Sequence, residues 1–166
     1  MAQRLAGKTA LITGATSGMG VNVVRRFVAK GANVLFCGRS SEAGATIAAE
    51  IGPGAHFRRA DVTDEADVIA LVKAAQDLGG GRIDFPFNNV APALRDTPVT
   101  ALSAEDIASA SMAIFGNVML MAKHVAAVMQ AQGGGSILNN GSTAAQPDRQ
   151  GAAQGNSDAD QFPRSG

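Results

Sequence analysis

Tryptophan and tyrosine are both absent from this 166-residue chain, and seven phenylalanines supply all of its aromatic content. Without a tyrosine there is no phenol to serve as a proton donor or acceptor, which removes one kind of general acid–base chemistry outright. Cysteine occurs once, as Cys37, so no internal disulfide can form. An excess of one charge is lacking too: 14 Lys and Arg balance 14 Asp and Glu. No net field therefore draws the chain to nucleic acid or to an anionic membrane, and small neutral or locally recognised ligands suit it better. Aromatic and basic residues do not interleave in the way that stacks nucleic-acid bases. The opening MAQRLAGKTALIT has too short an apolar run for a signal-peptide core or a membrane span. These absences predict a soluble protein of a reducing cytoplasm, with neither nucleic acid nor membrane as partner, and the length suits one domain.

What is present is glycine, 20 residues of it, punctuating an alternation of two patterns. Short apolar runs at Thr9–Thr13, Asn33–Cys37, Ala55–Arg58, Ile83–Asn88 and Ser136–Asn139 read as five strands. Between them, helical spacing covers Gly18–Lys30, Glu42–Ile51, Asp64–Leu78 and Ala104–Gln130, each closed by glycine. Ser41 and Thr63 are placed to cap the second and third helices, and Ser103 with Asp106 approximates a capping box. Connections too long for hairpins give right-handed βαβ units and a parallel α/β sheet covered on both faces. After about residue 143 the sequence TAAQPDRQGAAQGNSDADQFPRSG has neither period and one large apolar side chain, Phe162. Residues 144–166 are expected to form a loose tail behind a domain of residues 1–143.

The first strand runs straight into TGATSGMG, Thr13 to Gly20, and then into an amphipathic helix. A glycine triplet by itself is common in α/β proteins; its weight here comes from standing between the first strand and the first helix. Glycines at 14, 18 and 20 allow a sharp turn, close approach to a pyrophosphate, and packing of helix on strand, while the helix N-terminus offers free amides. The spacing resembles the TGxxxGxG signature of the short-chain dehydrogenase/reductases. Other landmarks follow in that family's order: ADVTD (Ala60 to Asp64) after the third strand, FNNVA (Phe87 to Ala91) where the family has NNAG, and SILNNGS (Ser136 to Ser142) where a strand ends in a serine.

The resemblance implies a Rossmann-like three-layer sandwich with strand order 3-2-1-4-5, lacking the family's last strands and helices. It implies that Gly14, Thr16, Ser17, Gly18, Met19 and Gly20 line a dinucleotide's phosphates, largely through backbone amides. Asp61 and Val62 would meet the adenine, and Asn89, Val90 and Ala91 would border the ribose and nicotinamide side. At the end of the second strand an acid would bond the ribose hydroxyls, whereas an Arg would pair with a 2′-phosphate. NVLFCGRSS places Gly38 and then Arg39 there, which favours NADP(H) over NAD(H) unless Arg39 is merely a solvated loop charge.

By the same resemblance Ser142 is the serine that holds the substrate oxygen. The family's helper asparagine is replaced by Ile114. Its tyrosine and lysine, expected a dozen or more residues after the serine as YxxxK, fall near Gly155 to Asp160, where neither residue type occurs. The implied function is NADP(H)-dependent hydride transfer with a carbonyl or alcohol substrate, by a chain read as an N-terminal portion with little or no turnover. The alternative is a non-catalytic dinucleotide-binding module that senses cofactor or pairs with a full-length relative. The apolar face of helix 104–130 offers a surface for homo-oligomers. His56 and His124 read as isolated, with no metal site, the helical methionines as packing, and Cys37 as an inert core thiol.

Overall fold

Continuous apolar runs become strands at the centre of this sheet because both of its faces are covered there. The computed structural model describes residues 3–90 and 98–141. Its strands are β1 (Thr9–Ile12), β2 (Asn33–Gly38), β3 (Ala55–Arg59), β4 (Phe85–Asn88) and β5 (Leu138–Asn139), all parallel, in the order β3-β2-β1-β4-β5. Alternate residues of β1 and β2 feed two separate cores. Ala10, Ile12, Val34 and Phe36 pack with Val24 of α1 (Gly18–Ala29) and partly buried Ile47 of α2 (Ser41–Ile51). Leu11, Leu35 and Cys37 point the other way, onto Val68 and Leu71 of α3 (Glu65–Leu78) and Met121 and Val125 of α5 (Asn117–Gln132). The strand order and the covering of both faces of β1 and β2 agree with the α/β sandwich expected from the sequence, while both residues of the edge strand β5 are exposed.

Several local expectations are corrected. Ser40, not Ser41, caps α2, accepting from the Ala43 amide at 3.2 Å. Asp64, not Thr63, caps α3, accepting from Ala66 at 2.8 Å, and Thr63 turns its hydroxyl to Asp61 instead. In both pairs the two neighbours can accept, and the residue that does so has the extended backbone of a cap. Ser103 and Asp106 do form a reciprocal box at the start of α4 (Ala104–Ser111). A 3₁₀ turn at Val99–Ala101 precedes α4. The helix expected over 104–130 is broken by a π turn at Met112–Gly116 that separates α4 from α5. Met121 and Met129 pack in the core, but Met112 and Met119 are exposed. His124 is not isolated, since its Nε2 lies 2.8 Å from Glu65 Oε1, which also accepts from Lys123 at 2.8 Å and ties α5 to α3. The Lys123 and His124 bonds hold the Glu65 carboxyl below its ordinary pKa.

The run Ala104–Gln132 is long and apolar enough to cross a membrane by length and composition. In this fold Met121, Val125, Val128 and Met129 pack on the sheet. Gln132 fastens the helix end, its Oε1 accepting from the Ile83 amide at 3.0 Å and its Nε2 donating to the Ile83 carbonyl at 2.8 Å. Asp84 is the other anchor: its carboxylate accepts from the Thr9 amide at 3.0 Å and from Lys8 at 3.1 Å. Burial would raise its pKa, but those two bonds and the Arg82 charge outweigh it and hold the group below the ordinary range.

β4 is shorter than the Ile83–Asn88 expected, and it carries Pro86 opposite Leu11 of the central strand. Phe87 turns its carbonyl to the Thr13 amide just after β1, whereas the carbonyls of Asp84 and Asn88 accept from Ser136 and Asn140, so by alternation Pro86 faces the β5 side, where it has no N–H to offer the ladder. Pro86→Leu, which restores the amide, is expected to raise stability by about 1 kcal/mol. Urea unfolding midpoints at unchanged slope would measure it; a lower midpoint would show that the ring's packing outweighs the lost bond.

Candidate functional site

The strand order reverses direction at β1, and loops leaving the carboxyl ends of neighbouring strands diverge there to open a cleft. A cleft of about 460 Å³ lies at that point. Every strand sends residues to it: Gly14, Thr16, Ser17, Gly18 and Met19 after β1, Cys37, Gly38 and Arg39 at the end of β2, Ala60, Asp61, Val62 and Thr63 after β3, Asn89 and Val90 after β4, and Asn140 after β5. Ala113 of the π turn closes one side.

The glycine loop is shaped by contacts that leave no room for side chains. A Cβ on Gly14 would stand 3.0 Å from the Asn89 carbonyl oxygen, and one on Gly20 would stand 2.5 Å from the Gly14 carbonyl oxygen. Gly14 and Gly18 also adopt φ of +60° and +54°, a region that favours glycine. The loop is pinned to β4 on its other side. Asn89 donates its backbone N–H to Thr13 Oγ1 at 3.1 Å and its side-chain amide to the Gly14 carbonyl at 3.1 Å. Asn140 extends the chain of amides, donating to Asn89 Oδ1 at 2.9 Å and lying 3.6 Å from Met19 Sδ.

The geometry leaves the start of α1 ready for an anion. Ser17 is its N-cap in extended conformation but makes no side-chain capping bond, and the first turn has no acid. The leading amides of α1 therefore face the cleft end without an internal acceptor from the cap, next to the positive end of the helix dipole. Arg39 is exposed at the lip of the cleft. The Thr63 hydroxyl, at 2.7 Å, and the Thr63 amide hold the Asp61 carboxyl below its ordinary pKa against partial burial, with Arg39 and Arg59 adding to the effect. The Asp61 amide donates to Asp67 Oδ2 at 2.8 Å, so the loop after β3 is held at both ends. Burial pushes the Cys37 thiol up to about 12 despite its place along the cleft wall, which leaves it unreactive. No group of three metal-ligating side chains occurs among the described residues.

Of the residues singled out from the sequence, Gly14, Thr16, Ser17, Gly18, Met19, Arg39, Asp61, Val62, Asn89 and Val90 all line this cleft. Gly20 lies beneath it, packed under Gly14. Ala91 and Ser142 fall outside the described residues, as does the segment 144–166. Sequence reading missed Gly38 as a lining residue in its own right, although a Cβ there would meet Thr16 Oγ1 at 2.4 Å. It also missed Thr63, Ala113 and Asn140. The signal for Asn140 was its place one residue beyond the last strand, where the other cleft residues also stand.

Comparison with known proteins agrees with the geometry. Residues 8–154 match the family described as short chain dehydrogenase. The chain is 36% identical over 153 residues to the sex determination protein tasselseed-2 of Zea mays, covering 87% of this chain and 44% of that protein. It is 38% identical over 142 residues to galactitol 2-dehydrogenase of Agrobacterium fabrum, covering 85% and 55% respectively. Among solved structures, 3-ketoacyl-(acyl-carrier-protein) reductase from Brucella melitensis complexed with NADH superposes with a TM-score of 0.79 at 33% identity, over 87% of this chain and 61% of that one. The chain spans about half the length of the curated relatives it matches.

The backbone contact beneath the loop gives a test. Gly20→Ala is expected to destabilise the protein by about 1–3 kcal/mol, because neither the Gly14 carbonyl nor the Ala15 backbone can move aside cheaply. Chemical denaturation would measure this, and an unchanged midpoint would mean the loop is not held as tightly as these distances imply.

Proposed function

The chain belongs to the short-chain dehydrogenase family, and from that premise we propose that its cleft binds NADP(H) in preference to NAD(H) for oxidoreductase chemistry on a carbonyl or alcohol. The observation that carries the reading is the convergence on one cleft of an uncapped helix N-terminus, a glycine loop pressed against Asn89, and Arg39 at the end of β2. When bound, the cofactor supplies hydride exchange at its nicotinamide ring. The protein's own residues bind and orient it. Amides at the start of α1 would hold the pyrophosphate, Val62 would give the adenine an apolar wall, and the guanidinium of Arg39 would pair with a 2′-phosphate where an acid would repel it. On the substrate side Ser142 would hold the oxygen with its hydroxyl.

Proton transfer is where the chain falls short. It has no tyrosine, and its last lysine, Lys123, precedes Ser142. A serine hydroxyl alone does not supply a proton near neutral pH. Turnover by this chain is accordingly absent or very low, and that same composition favours the second reading, a binding module without catalysis. Titration with NADPH and NADH, followed by nicotinamide fluorescence, tests both. The expected result is tighter binding of NADPH, by roughly ten- to a hundredfold for a charge-assisted pair, with the preference lost in Arg39→Asp. An unchanged preference sinks the role of Arg39, no binding at millimolar cofactor sinks the site, and measurable carbonyl reduction with NADPH sinks the claim of inactivity.

Self-association through the helical run is part of the same reading. Ile107, Met112, Ile114, Phe115 and Met119 are exposed along it, and exposed apolar side chains grouped on one element suit an association surface. Sedimentation should show a dimer that Phe115→Glu dissociates; a monomer at all concentrations would refute it.

A further inference from the structure

The π turn between α4 and α5 has a specific cause and a specific effect on the cleft. In an unbroken α-helix the Asn117 amide would donate to the Ala113 carbonyl, four residues back. Here it donates to Met112, five residues back, which leaves the Ala113 carbonyl without its helical partner. The side-chain amide of Asn117 donates to that carbonyl instead. Asn117 is 1% exposed, so it does this inside the protein, where an unpaired carbonyl is costly. The turn also changes which residue faces inward. The buried face of α5 runs through Asn117, Met121, Val125 and Val128. Continued backwards at α-helical spacing it falls between Ala113 and Ile114, and the extra residue of a π turn moves it off Ile114. Ala113 is half-buried and lines the cleft, while Ile114 is 49% exposed.

We propose that Asn117 is a positioning residue for the dinucleotide site: by taking up the carbonyl that the π turn releases, it fixes the helix register that turns Ala113, rather than Ile114, toward the cleft. The assignment rests on the cofactor reading given above and deepens it. A methyl group at that wall leaves room beside Val90 and Asn140, whereas a branched isoleucine there would narrow the cleft.

Thiol labelling reads the register directly, because the native Cys37 is buried and silent. Ala113→Cys and Ile114→Cys are made singly in the full chain, and then each is combined with Asn117→Val or Asn117→Thr. Threonine can donate its hydroxyl to the carbonyl four residues back, and valine, its near isostere, cannot. With Asn117 present, Ile114→Cys should label fast whether or not NADPH is added, and Ala113→Cys slowly and more slowly still with NADPH. Asn117→Val should abolish the difference between the two positions and raise the NADPH dissociation constant roughly tenfold, as loss of one buried hydrogen bond would; Asn117→Thr should restore both. Equal labelling at 113 and 114 in the presence of Asn117, or indistinguishable Val and Thr backgrounds, would overturn the proposal. So would unfolding of the Thr variant along with the Val variant, since a donor at that position would then not suffice. Failure of the Asn117 protein to bind NADPH would retire the cofactor half together with the reading it rests on, while the labelling rates without cofactor would still decide the register.

Discussion

Backbone meets backbone where the loop after β1 passes the end of β4, and the cleft exists because that crossing is tight. The Gly14 carbonyl accepts from the Asn89 side-chain amide on one side and on the other lies so near Gly20 that a Cβ there would not fit. This three-part contact sets the distance between the central strand, the first helix and the fourth strand at once. A side chain at either glycine would push the helix off the sheet, and with it the amides that point into the cleft. The Thr13 hydroxyl, buried and accepting from the Asn89 amide, keeps the crossing from sliding along the strands.

The rest of the molecule supports that crossing from both sides. The core under α1 and α2, onto which Phe85 and Phe87 of β4 also pack, fixes the angle at which α1 leaves the loop, and the core under α3 and α5 seats the helix that continues from the turn carrying Ala113. Polar anchors at the opposite end of the sheet, Asp84 with Thr9 and Gln132 with Ile83, set the register of β4 against β1 and α5 without entering the cleft. The division of labour is common in open parallel sheets: one end of the strands is tied shut, and the other presents loops.

Much of this was legible in the sequence because buried parallel strands must be apolar along their length, and because glycine is required where backbones touch. Val34, Leu35 and Phe36 announce a strand covered on both faces, and Gly14, Gly18 and Gly20 announce a loop that something approaches closely. Less legible were features decided by geometry within a choice of equals. Ser40 and Ser41, or Thr63 and Asp64, each offer an acceptor oxygen one residue apart, and Ser40 and Asp64 cap with extended backbone. The π turn leaves no mark in composition: a helix with one more residue in a turn has the same apolar pattern on either side, and nothing in the sequence sets Asn117 apart as the residue that answers the released carbonyl. The strand expected over Ile83–Asn88 includes Pro86, and Phe85, Phe87 and Asn88 around it pair with their neighbours well enough to keep the strand. Ala91 and Ser142 remain expectations from resemblance alone.

α4 differs from α1, α2, α3 and α5 in one respect: none of its residues is buried. Its end is fixed by the Ser103–Asp106 box and its base by the π turn, but no layer of side chains locks its middle. The free energy needed to open it is therefore set by eight residues' own hydrogen bonds and not by the stability of the sheet. Amide protons of α4 would exchange with solvent through local opening, while those of β1 and β2 wait for global unfolding. The wall that Ala113 gives the cleft thus stands at the junction between the slowest-exchanging part of the protein and one of its fastest.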